Sequence, residues 1–384
     1  MLVNSKLTLS ALAYLACTLV FSMSSLAHAA SCEESWPAWE AFKKSSITDD
    51  GRVEDHSTDG MRTTSEGQSY ALFFSLVAND RTTFDKLLNW SEKNLAEDDL
   101  ILHLPSWELG KKEDDSYGVL DVNSAADSDL WIAYTLGEAG RLWGDRRYIA
   151  LSSLMANRIL SSETREVPDL GLVLLPGAAG FTPTPTSVRL NPSYVPLQLM
   201  QWFATHSNDP RWTSLANSSR QLILKSSPKG YAPDWTIYDY SKGFLPDTDP
   251  EKGGTGSYDA IRVYLWAGML SRDSTDRSVL IDALKPMAQL VEKQGYPPES
   301  VHIMTGVANN QGSSGFSAAM VPFLQASGLN QAAEQQLRRI EAQPIAEDRY
   351  YDQVLSLFAL GWQNNLYRFD SRGNLTPRWK STCQ

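Results

Sequence analysis

Residues 63–77 read TTSEGQSYALFFSLV and combine a helical pattern with a carboxylic acid at its start. The apolar side chains recur at i, i+3, i+4 and i+7: Tyr70, Phe73, Phe74 and Val77. This is the spacing of one face of an amphipathic helix. Glu66 lies at the mouth of that helix, between Ser65 and Gly67. The stretch therefore predicts a helix that presents a carboxyl group at its N-terminal end.

The same apolar spacing returns along the chain and predicts an all-α fold. The further helical faces are Ile132, Leu136, Ala139 and Trp143; Val195, Leu199 and Trp202; Ile261, Leu265 and Gly268; and Val354, Leu357, Phe358 and Gly361. Helical segments recur about every 30 residues, which favours a single ring or stack of helical hairpins over residues 31–384. Distant helix starts would then meet at one end. Short irregular or extended pieces are expected in the loops, with 170–181 as the best candidate.

The first 30 residues have the features of a targeting segment. Lys6 precedes an apolar stretch over residues 7–20, and Ala27-His28-Ala29 is a small-x-small cleavage signal. No later stretch approaches the ~20 apolar residues of a membrane span. We therefore expect residues 1–30 to be a signal peptide, and the mature chain to be exported, periplasmic or secreted, without membrane insertion.

The net charge limits the possible binding partners, and the cysteines predict a disulfide. The formal net charge is −11, which argues against nucleic acid or an anionic membrane as a partner, while a neutral polysaccharide would not be repelled. Cys32 and Cys383 lie almost at the two ends of the mature chain. In an oxidising compartment a Cys32–Cys383 disulfide is the expected arrangement, and two unpaired thiols are the alternative.

Three separated acids stand at predicted helix starts: Glu66, Asp127 and Asp259. Hydrolysis of a glycosidic bond needs a protonated acid for the leaving oxygen and a carboxylate that activates water. A helix start favours the ionised form, which suits the two Asp residues and requires burial or a neighbouring acid such as Asp127 to raise the pKa of Glu66. The alternative role of each Asp is a helix cap. Glu66 is a poor capping residue, and its neighbours Gly67 and Gln68 suggest close approach of a ligand.

Other chemistries leave no recognisable pattern in the sequence. The chain has neither an HExxH spacing nor a GxSxG elbow, and it lacks the glycine patterns of nucleotide binding. We therefore expect no metal and no cofactor.

Loop aromatics supply candidate sugar-binding surfaces. Trp107 and Trp235 lie in Pro-containing loops, where an indole face could stack on a sugar ring or pack beneath the loop. Arg262 stands one turn after Asp259. It could orient a carboxylate, bind a sugar hydroxyl or form a salt bridge across the helix end.

On these motifs the chain resembles glycoside hydrolase family 8 along nearly its whole mature length. The matching stretches are 32–44 (CEESWPAWEAFKK), 64–70 (TSEGQSY), 124–133 (SAADSDLWIA), 232–235 (APDW), 257–264 (SYDAIRVY) and 295–299 (GYPPE). The resemblance implies an (α/α)6 barrel with a long cleft and endo-hydrolysis of β-1,4-glucan with inversion. It is close to members that accompany bacterial cellulose synthesis, which implies the synthase export machinery as a further partner.

The resemblance also implies roles for individual residues. Glu66 would be the proton donor and Asp259 the general base, while Asp127 would distort the bound sugar or, in the alternative interpretation, act as nucleophile. The expected substrate-binding residues are Gln68, Tyr70, Trp107, Tyr194, Trp235, Tyr258 and Arg262. A monomer is expected.

Three alternatives remain open at this stage. The family also includes enzymes for chitosan, xylan and mixed-linkage glucan. A non-catalytic polysaccharide-binding accessory protein is the second alternative, and the intact acids argue against it. An enzyme for peptidoglycan or alginate is the third, but its acidic polymer would favour basic cleft loops, whereas these loops are rich in Trp, Tyr and Asp.

Overall fold

The computed structural model describes residues 35–58, 60–249 and 253–382. The predicted signal peptide, Cys32 and Cys383 lie outside the described residues. No helix within the described ranges is both long and apolar enough to cross a membrane.

Thirteen helices are present in the described residues, together with short strands. The helices are α1 (Pro37–Ser46), α2 (Ser65–Val77), α3 (Arg81–Leu95), α4 (Ala126–Trp143), α5 (Arg146–Ser162), α6 (Leu197–His206), α7 (Arg211–Ser226), α8 (Ala260–Met269), α9 (Thr275–Gln294), α10 (Ser314–Ala326), α11 (Asn330–Ala342), α12 (Tyr350–Gln363) and α13 (Trp379–Thr382). A 3-10 turn, Pro192–Tyr194, precedes α6. The predicted helical faces at 70–77, 132–143, 261–268 and 354–361 lie within α2, α4, α8 and α12, which confirms those predictions, and the face at 195–202 starts just before α6.

Twelve of these helices form two concentric rings. The inner helices α2, α4, α6, α8, α10 and α12 pack neighbour against neighbour, and α12 returns to α2 to close the ring. Each inner helix also packs against one outer helix, in the pairs α2–α3, α4–α5, α6–α7, α8–α9, α10–α11 and α12–α1. This is the (α/α)6 barrel that the family resemblance implied.

Burial distinguishes the two rings. Every residue of α8 is buried, whereas the outer helix α11 buries only Ala332, Ala333 and Gln336. A helix that is apolar on all sides belongs inside a protein, and one with a single apolar stripe belongs on its surface. Gly268 fits this arrangement, because a Cβ there would come within 2.3 Å of the Phe323 backbone nitrogen on α10.

Aromatic side chains fill the barrel axis. The rings of Phe73, Trp131 and Phe358 come from α2, α4 and α12, and their centroids lie 4.9–5.4 Å apart in all three pairs. Aromatic pairs at this separation add to the free energy gained from burial. They also fix the mutual position of three inner helices whose starts carry polar groups.

Short antiparallel strands occupy the loops. They are β1 (Thr63–Thr64), β2 (Glu108–Lys111), β3 (Tyr117–Asp121), β4 (Thr164–Val167), β5 (Gly171–Leu174), β6 (Ser187–Leu190), β7 (Thr236–Asp239), β8 (Gly243–Pro246), β9 (Thr255–Gly256), β10 (Pro298–His302), β11 (Ala308–Gln311), β12 (Tyr367–Phe369) and β13 (Leu375–Pro377). The sheets run β1-β2-β3, β4-β5, β6-β7-β8, β9-β10-β11 and β12-β13. The extended piece expected at 170–181 is confirmed only in part, as β5. Strands β1 and β9 lead into α2 and α8, so the sheets hold the starts of two inner helices.

Candidate active site

Three carboxyl groups converge on one guanidinium at the N-terminal ends of α2, α4 and α8. Nη1 of Arg262 donates to Glu66 Oε2 and, at 3.2 Å, to Asp127 Oδ2, while Nη2 donates to Asp259 Oδ1 at 2.6 Å. The Arg262 side chain is only 3% exposed. The arginine therefore orients all three acids, which was one of the roles its sequence position allowed.

Local backbone contacts hold Glu66 in place. Thr64 caps α2 by accepting a hydrogen bond from the Gly67 N–H at 3.2 Å, and the Ser65 N–H donates to the Trp107 carbonyl at 3.0 Å. Glu66 thus stands in the first turn with its side chain free to reach Arg262. Gly67 packs against Tyr350, whose hydroxyl would lie 3.0 Å from an added Cβ. The glycine serves protein packing, which corrects the expectation that it admits a ligand.

Asp259 stands at the N-cap position of α8 but makes no side-chain capping bond. Asp234 takes over that task, because its Oδ1 accepts from the backbone N–H groups of Ser257, Asp259 and Ala260 at 2.7, 3.1 and 2.8 Å. The helix start is thereby satisfied without the Asp259 carboxylate. Asp259, 26% exposed in its side chain, remains available to solvent and to a ligand.

Asp127 is more enclosed than the other two acids. Its side chain is 4% exposed, against 23% for Glu66. Its Oδ1 accepts from the Ser128 N–H at 2.8 Å, and its Oδ2 accepts from Arg262. Burial raises the pKa of Asp127 against the lowering effects of Arg262 and the Ser128 N–H. The helix start does favour the ionised form of Asp127, through the Ser128 N–H, but burial outweighs this effect.

The surroundings of Glu66 suit a proton donor. Burial raises the pKa of Glu66 to about 7, the charges of Asp127 and Asp259 add to the rise, and Arg262 opposes it. Both causes foreseen from the sequence, burial and a neighbouring acid, operate here. A carboxyl group with this pKa is still largely protonated just below neutral pH.

Two residues expected to bind substrate instead support the protein. Gln68 is 1% exposed, and its amide accepts from the Val53 N–H at 2.6 Å while donating to the Gly51 carbonyl and Ser91 Oγ at 3.1 and 3.0 Å. Both amide hydrogens are thus used within the protein, and the buried side chain is out of reach of a sugar. Tyr70 is 2% exposed, and its hydroxyl accepts from Arg262 at 2.9 Å. We correct both assignments to positioning residues.

The remaining predicted contacts lie around the acids. Trp107 and Tyr194 line a cavity of about 190 Å³ together with Glu66 and Asp127. Trp235 lies beside it, with its ring centroid 5.9 Å from that of Tyr194. Tyr258, adjacent to Asp259, is 49% exposed and donates its hydroxyl to Glu299 at 2.9 Å. These four aromatics are half-buried or exposed, as a wall that contacts a ligand requires.

A second carboxyl pair lies behind Asp127. Asp129 and Glu163 are fully buried and lie against each other, and Ser124 Oγ donates to Glu163 Oε1. Apart from the Glu163 contact, both Asp129 oxygens lack a partner among the described residues. Burial raises the pKa of Glu163 to about 7 and that of Asp129 well above its usual range. Two touching carboxyl groups without a cation must share a proton.

Four features of the site were not predicted from the sequence: Asp234, the Asp129–Glu163 pair, Tyr350 and Tyr351. Tyr351 donates its hydroxyl to the Tyr258 carbonyl and therefore fixes the segment before Asp259. The two tyrosines come from the start of α12, far away in sequence. Only Asp234 and Asp129 carried a signal, since each stands in a motif quoted above.

The inner helices of this barrel hold three carboxyl groups around one arginine, and the carboxyl groups differ in how deeply they are buried. Such a set of carboxyl groups is typical of a glycoside hydrolase active site. The chain belongs to the glycosyl hydrolases family 8, whose profile matches residues 11–365. It is 46% identical over 349 residues to an endoglucanase of Escherichia coli K12, covering 91% of this chain and 92% of that protein. It is 44% identical to an endoglucanase of Salmonella typhi, with 95% and 96% covered.

A solved structure agrees with these relatives. The crystal structure of an endo-1,4-D-glucanase from Vibrio fischeri superposes with a TM-score of 0.83 at 46% identity, covering 90% of this chain and 99% of that one. The family and the barrel predicted from the sequence motifs are thus confirmed.

Proposed function

We propose that this protein is an endo-1,4-β-glucanase that cleaves cellulose-type chains by an inverting acid/base mechanism. The observation that carries the proposal is the convergence of Glu66, Asp127 and Asp259 on Arg262 at one end of the barrel. The name endoglucanase, shared by relatives 44–46% identical over most of their length, supports the substrate class.

Glu66 is the proton donor in this mechanism. Its raised pKa keeps the carboxyl protonated, so that it gives its proton to the glycosidic oxygen as the bond from that oxygen to the anomeric carbon breaks. Asp259 is the general base. It takes a proton from the water whose oxygen forms the new bond to the anomeric carbon on the opposite face.

The contacts of Asp127 favour a binding role over a nucleophilic one. Both of its oxygens already accept hydrogen bonds, from Ser128 N–H and from Arg262, and the side chain is almost fully buried. A nucleophilic carboxylate must come into direct contact with the anomeric carbon, and a side chain that is only 4% exposed is poorly placed for this. Asp127 is better suited to hold a hydroxyl of the distorted sugar while Asp259 faces the water.

Neutral aromatic side chains would bind the glucan on either side of the acids. Trp107, Tyr194 and Tyr258 offer ring faces to sugar rings, whereas the Arg189 guanidinium lies 4.0 Å from the Trp235 ring centroid and covers one face of that indole. Arg262 stays beneath the acids and acts through them. Such a cleft suits an uncharged polymer.

Replacement of the proton donor tests the mechanism. Glu66→Gln should lower the rate of reducing-sugar release from carboxymethylcellulose by ~10²–10⁴-fold or more, because the amide cannot donate an acidic proton. Binding of cello-oligosaccharides, measured by calorimetry, should stay within a few-fold of the wild type. Glu108→Gln is the matched control, since Glu108 pairs with Arg62 beside β1 and lies outside the carboxylate cluster. Retention of more than a tenth of the wild-type rate by Glu66→Gln would refute the assignment.

A substrate panel decides between β-1,4-glucan and the alternatives. We expect faster hydrolysis of carboxymethylcellulose than of xylan, chitosan or mixed-linkage glucan. A family member acting on one of those polymers would reverse this order. A non-catalytic accessory protein would bind glucan and release no sugar from any of them.

We further propose that the enzyme is exported and acts in support of bacterial cellulose synthesis, with the synthase export machinery as a partner. The charged, apolar and small-x-small segments of residues 1–30 support export. A mature N-terminus near residue 30, measured by mass spectrometry of periplasmic protein, is the expected result.

Thiol titration of the periplasmic protein after unfolding should find no free thiol at Cys32 or Cys383, because we expect the two residues to form a disulfide. In the chain-entropy model their bond contributes up to ~5 kcal/mol.

A further inference from the structure

A basic cavity lies at the end of the barrel opposite the carboxylates. It has a volume of about 420 Å³ and is built where α8, α10 and α12 end. Three arginines line it, Arg272, Arg277 and Arg368, together with Trp362. In a chain of net charge −11 such a cluster of like charges needs a physical reason.

None of the three arginines forms an ion pair with a described carboxylate. Asp276, which precedes Arg277 in the sequence, instead forms an ion pair with Arg220 at 2.9 Å and accepts a hydrogen bond from Gln201 at 3.1 Å. The Nε of Arg277 is buried and has no hydrogen-bond partner within the described ranges. Burial and the positive charge of Arg272 lower the pKa of both Arg277 and Arg368. The positive charge of Arg272 therefore repels those of the other two arginines.

The protein's own contacts account for one arginine only. Arg368 donates to the carbonyls of Trp362 and Tyr367, and its guanidinium carbon lies 4.2 Å from the Trp362 ring centroid. A cation beside the carboxyl end of α12 is favourable there. Arg277 stands in the first turn of α9, where the helix dipole disfavours a cation, and Arg272 is exposed with no hydrogen bond or ion pair to another described residue.

We propose that this cavity is a binding site for a phosphate group, held by Arg272, Arg277 and Arg368. A phosphate dianion would cancel the mutual repulsion and give the buried Arg277 Nε an acceptor. Ser271, Gln325 and Asn365 add polar side chains to the wall, and the volume leaves room for a small organic substituent on the phosphate. The site lies apart from the glucan-cleaving acids and does not depend on the function proposed for them.

Two readouts test the site on the full mature protein. Sodium phosphate, compared with sodium chloride at equal ionic strength, should raise the melting temperature in a saturable way, because a ligand that binds the folded state stabilises it. Calorimetric affinity for phosphate should fall about tenfold or more in Arg272→Gln and in Arg277→Gln, since each loses charge-assisted hydrogen bonds. Arg338→Gln on the exposed face of α11 is the matched control and should bind phosphate like the wild type.

The double variant Arg272→Gln/Arg277→Gln separates a ligand site from a structural role. Without phosphate it should melt at or above the wild-type temperature, because two repelling charges are gone. A clearly lower melting temperature would overturn the proposal, as would phosphate stabilisation that is absent in the wild type or unchanged in the double variant. Flotation with phosphatidylglycerol and phosphatidylcholine vesicles identifies the source. Arginine-dependent binding to the anionic vesicles would assign the phosphate to a lipid headgroup, and binding of free phosphate alone would assign it to a soluble ligand.

Discussion

Two groups of buried acids begin on the same turn of α4, and they differ in one neighbour. Asp127 joins Glu66 and Asp259 around Arg262, and the latter two side chains remain 23% and 26% exposed. Two residues later, Asp129 turns to Glu163, where both are fully buried and no described cation reaches them. The first group is a charged cluster open to a ligand, and the second is a closed pair that holds a proton.

The contrast shows that burial by itself does not make an acid functional. Burial raises the pKa of Glu66 and of Glu163 to about the same value, about 7. Only Glu66 lies beside a cation, Arg262, which stabilises the ionised form of the neighbouring acids. Only Glu66 is also partly exposed, so that its proton can pass to a substrate. Because the difference lies in Arg262, changes at this arginine should have the largest effect.

Arg262→Met should remove the positive charge that distinguishes the cluster of Glu66, Asp127 and Asp259 from the Asp129–Glu163 pair. It leaves three acids without a cation, and loss of one partner from a buried ion pair costs about 3–5 kcal/mol of folding free energy. The acids would also lose their mutual positions, which should lower kcat by about 10²-fold or more. Urea unfolding and reducing-sugar release measure the two effects.

Arg141→Met is the matched control for this change. Arg141 also bonds a fully buried acid, Glu138, but at the other end of α4. It should lose stability while its folded fraction keeps the wild-type kcat. Equal catalytic losses in the two variants would mean that Arg262 acts through stability alone.

The pH dependence of activity probes the proton held by Glu66. An acid must be protonated to donate, so log kcat/KM should fall by about one per pH unit above about pH 7. The negative charge of Asp127 contributes to the raised pKa of Glu66, so Asp127→Asn should move this alkaline limb to lower pH. Asp209→Asn, at an exposed ion pair with Arg211, should leave the limb in place. A limb unmoved by Asp127→Asn would contradict the coupling of the two acids.

The smallest effect of a substitution is expected in the closed Asp129–Glu163 pair. Asp129→Asn should be tolerated, because its amide can donate to Glu163 as the protonated acid does. Both pKa values are raised in the folded state, so the unfolded chain releases protons above about pH 4 that the folded pair retains. The free energy of unfolding of the wild type should therefore decrease as pH rises from about 4 to 7, and that of Asp129→Asn should decrease less.

Glu163→Ala should instead lower the free energy of unfolding by about 1–3 kcal/mol at every pH, because Asp129 and Ser124 lose their partner.

Much of the barrel was predictable because its signal is local. The spacing of residues 70–77 and 261–268 follows the inner faces of α2 and α8, and the acids at their starts became neighbours once the hairpins closed into a ring. Glu66, Asp127 and Asp259 were predicted to meet for this reason. The family motifs supplied the number of hairpins, which spacing alone did not.

The rest depended on contacts that no local pattern encodes. Gln68 and Tyr70 share the Glu66 motif, yet their side chains point to segment 51–53 and to Arg262, which only packing decides. Asp234 caps α8 from another loop, and Glu163 meets Asp129 from the end of α5. These pairings join residues 15 or more positions apart in the chain.

The anomeric configuration of the first product tests the central claim most directly. If Glu66 is the acid and Asp259 activates water, cleavage of a β-1,4-glucan inverts the anomeric carbon. Proton NMR of cello-oligosaccharide hydrolysis, recorded before mutarotation, should then show the α-anomer first. An initial β-anomer would contradict this account, because it requires a covalent intermediate and would make Asp127 the nucleophile.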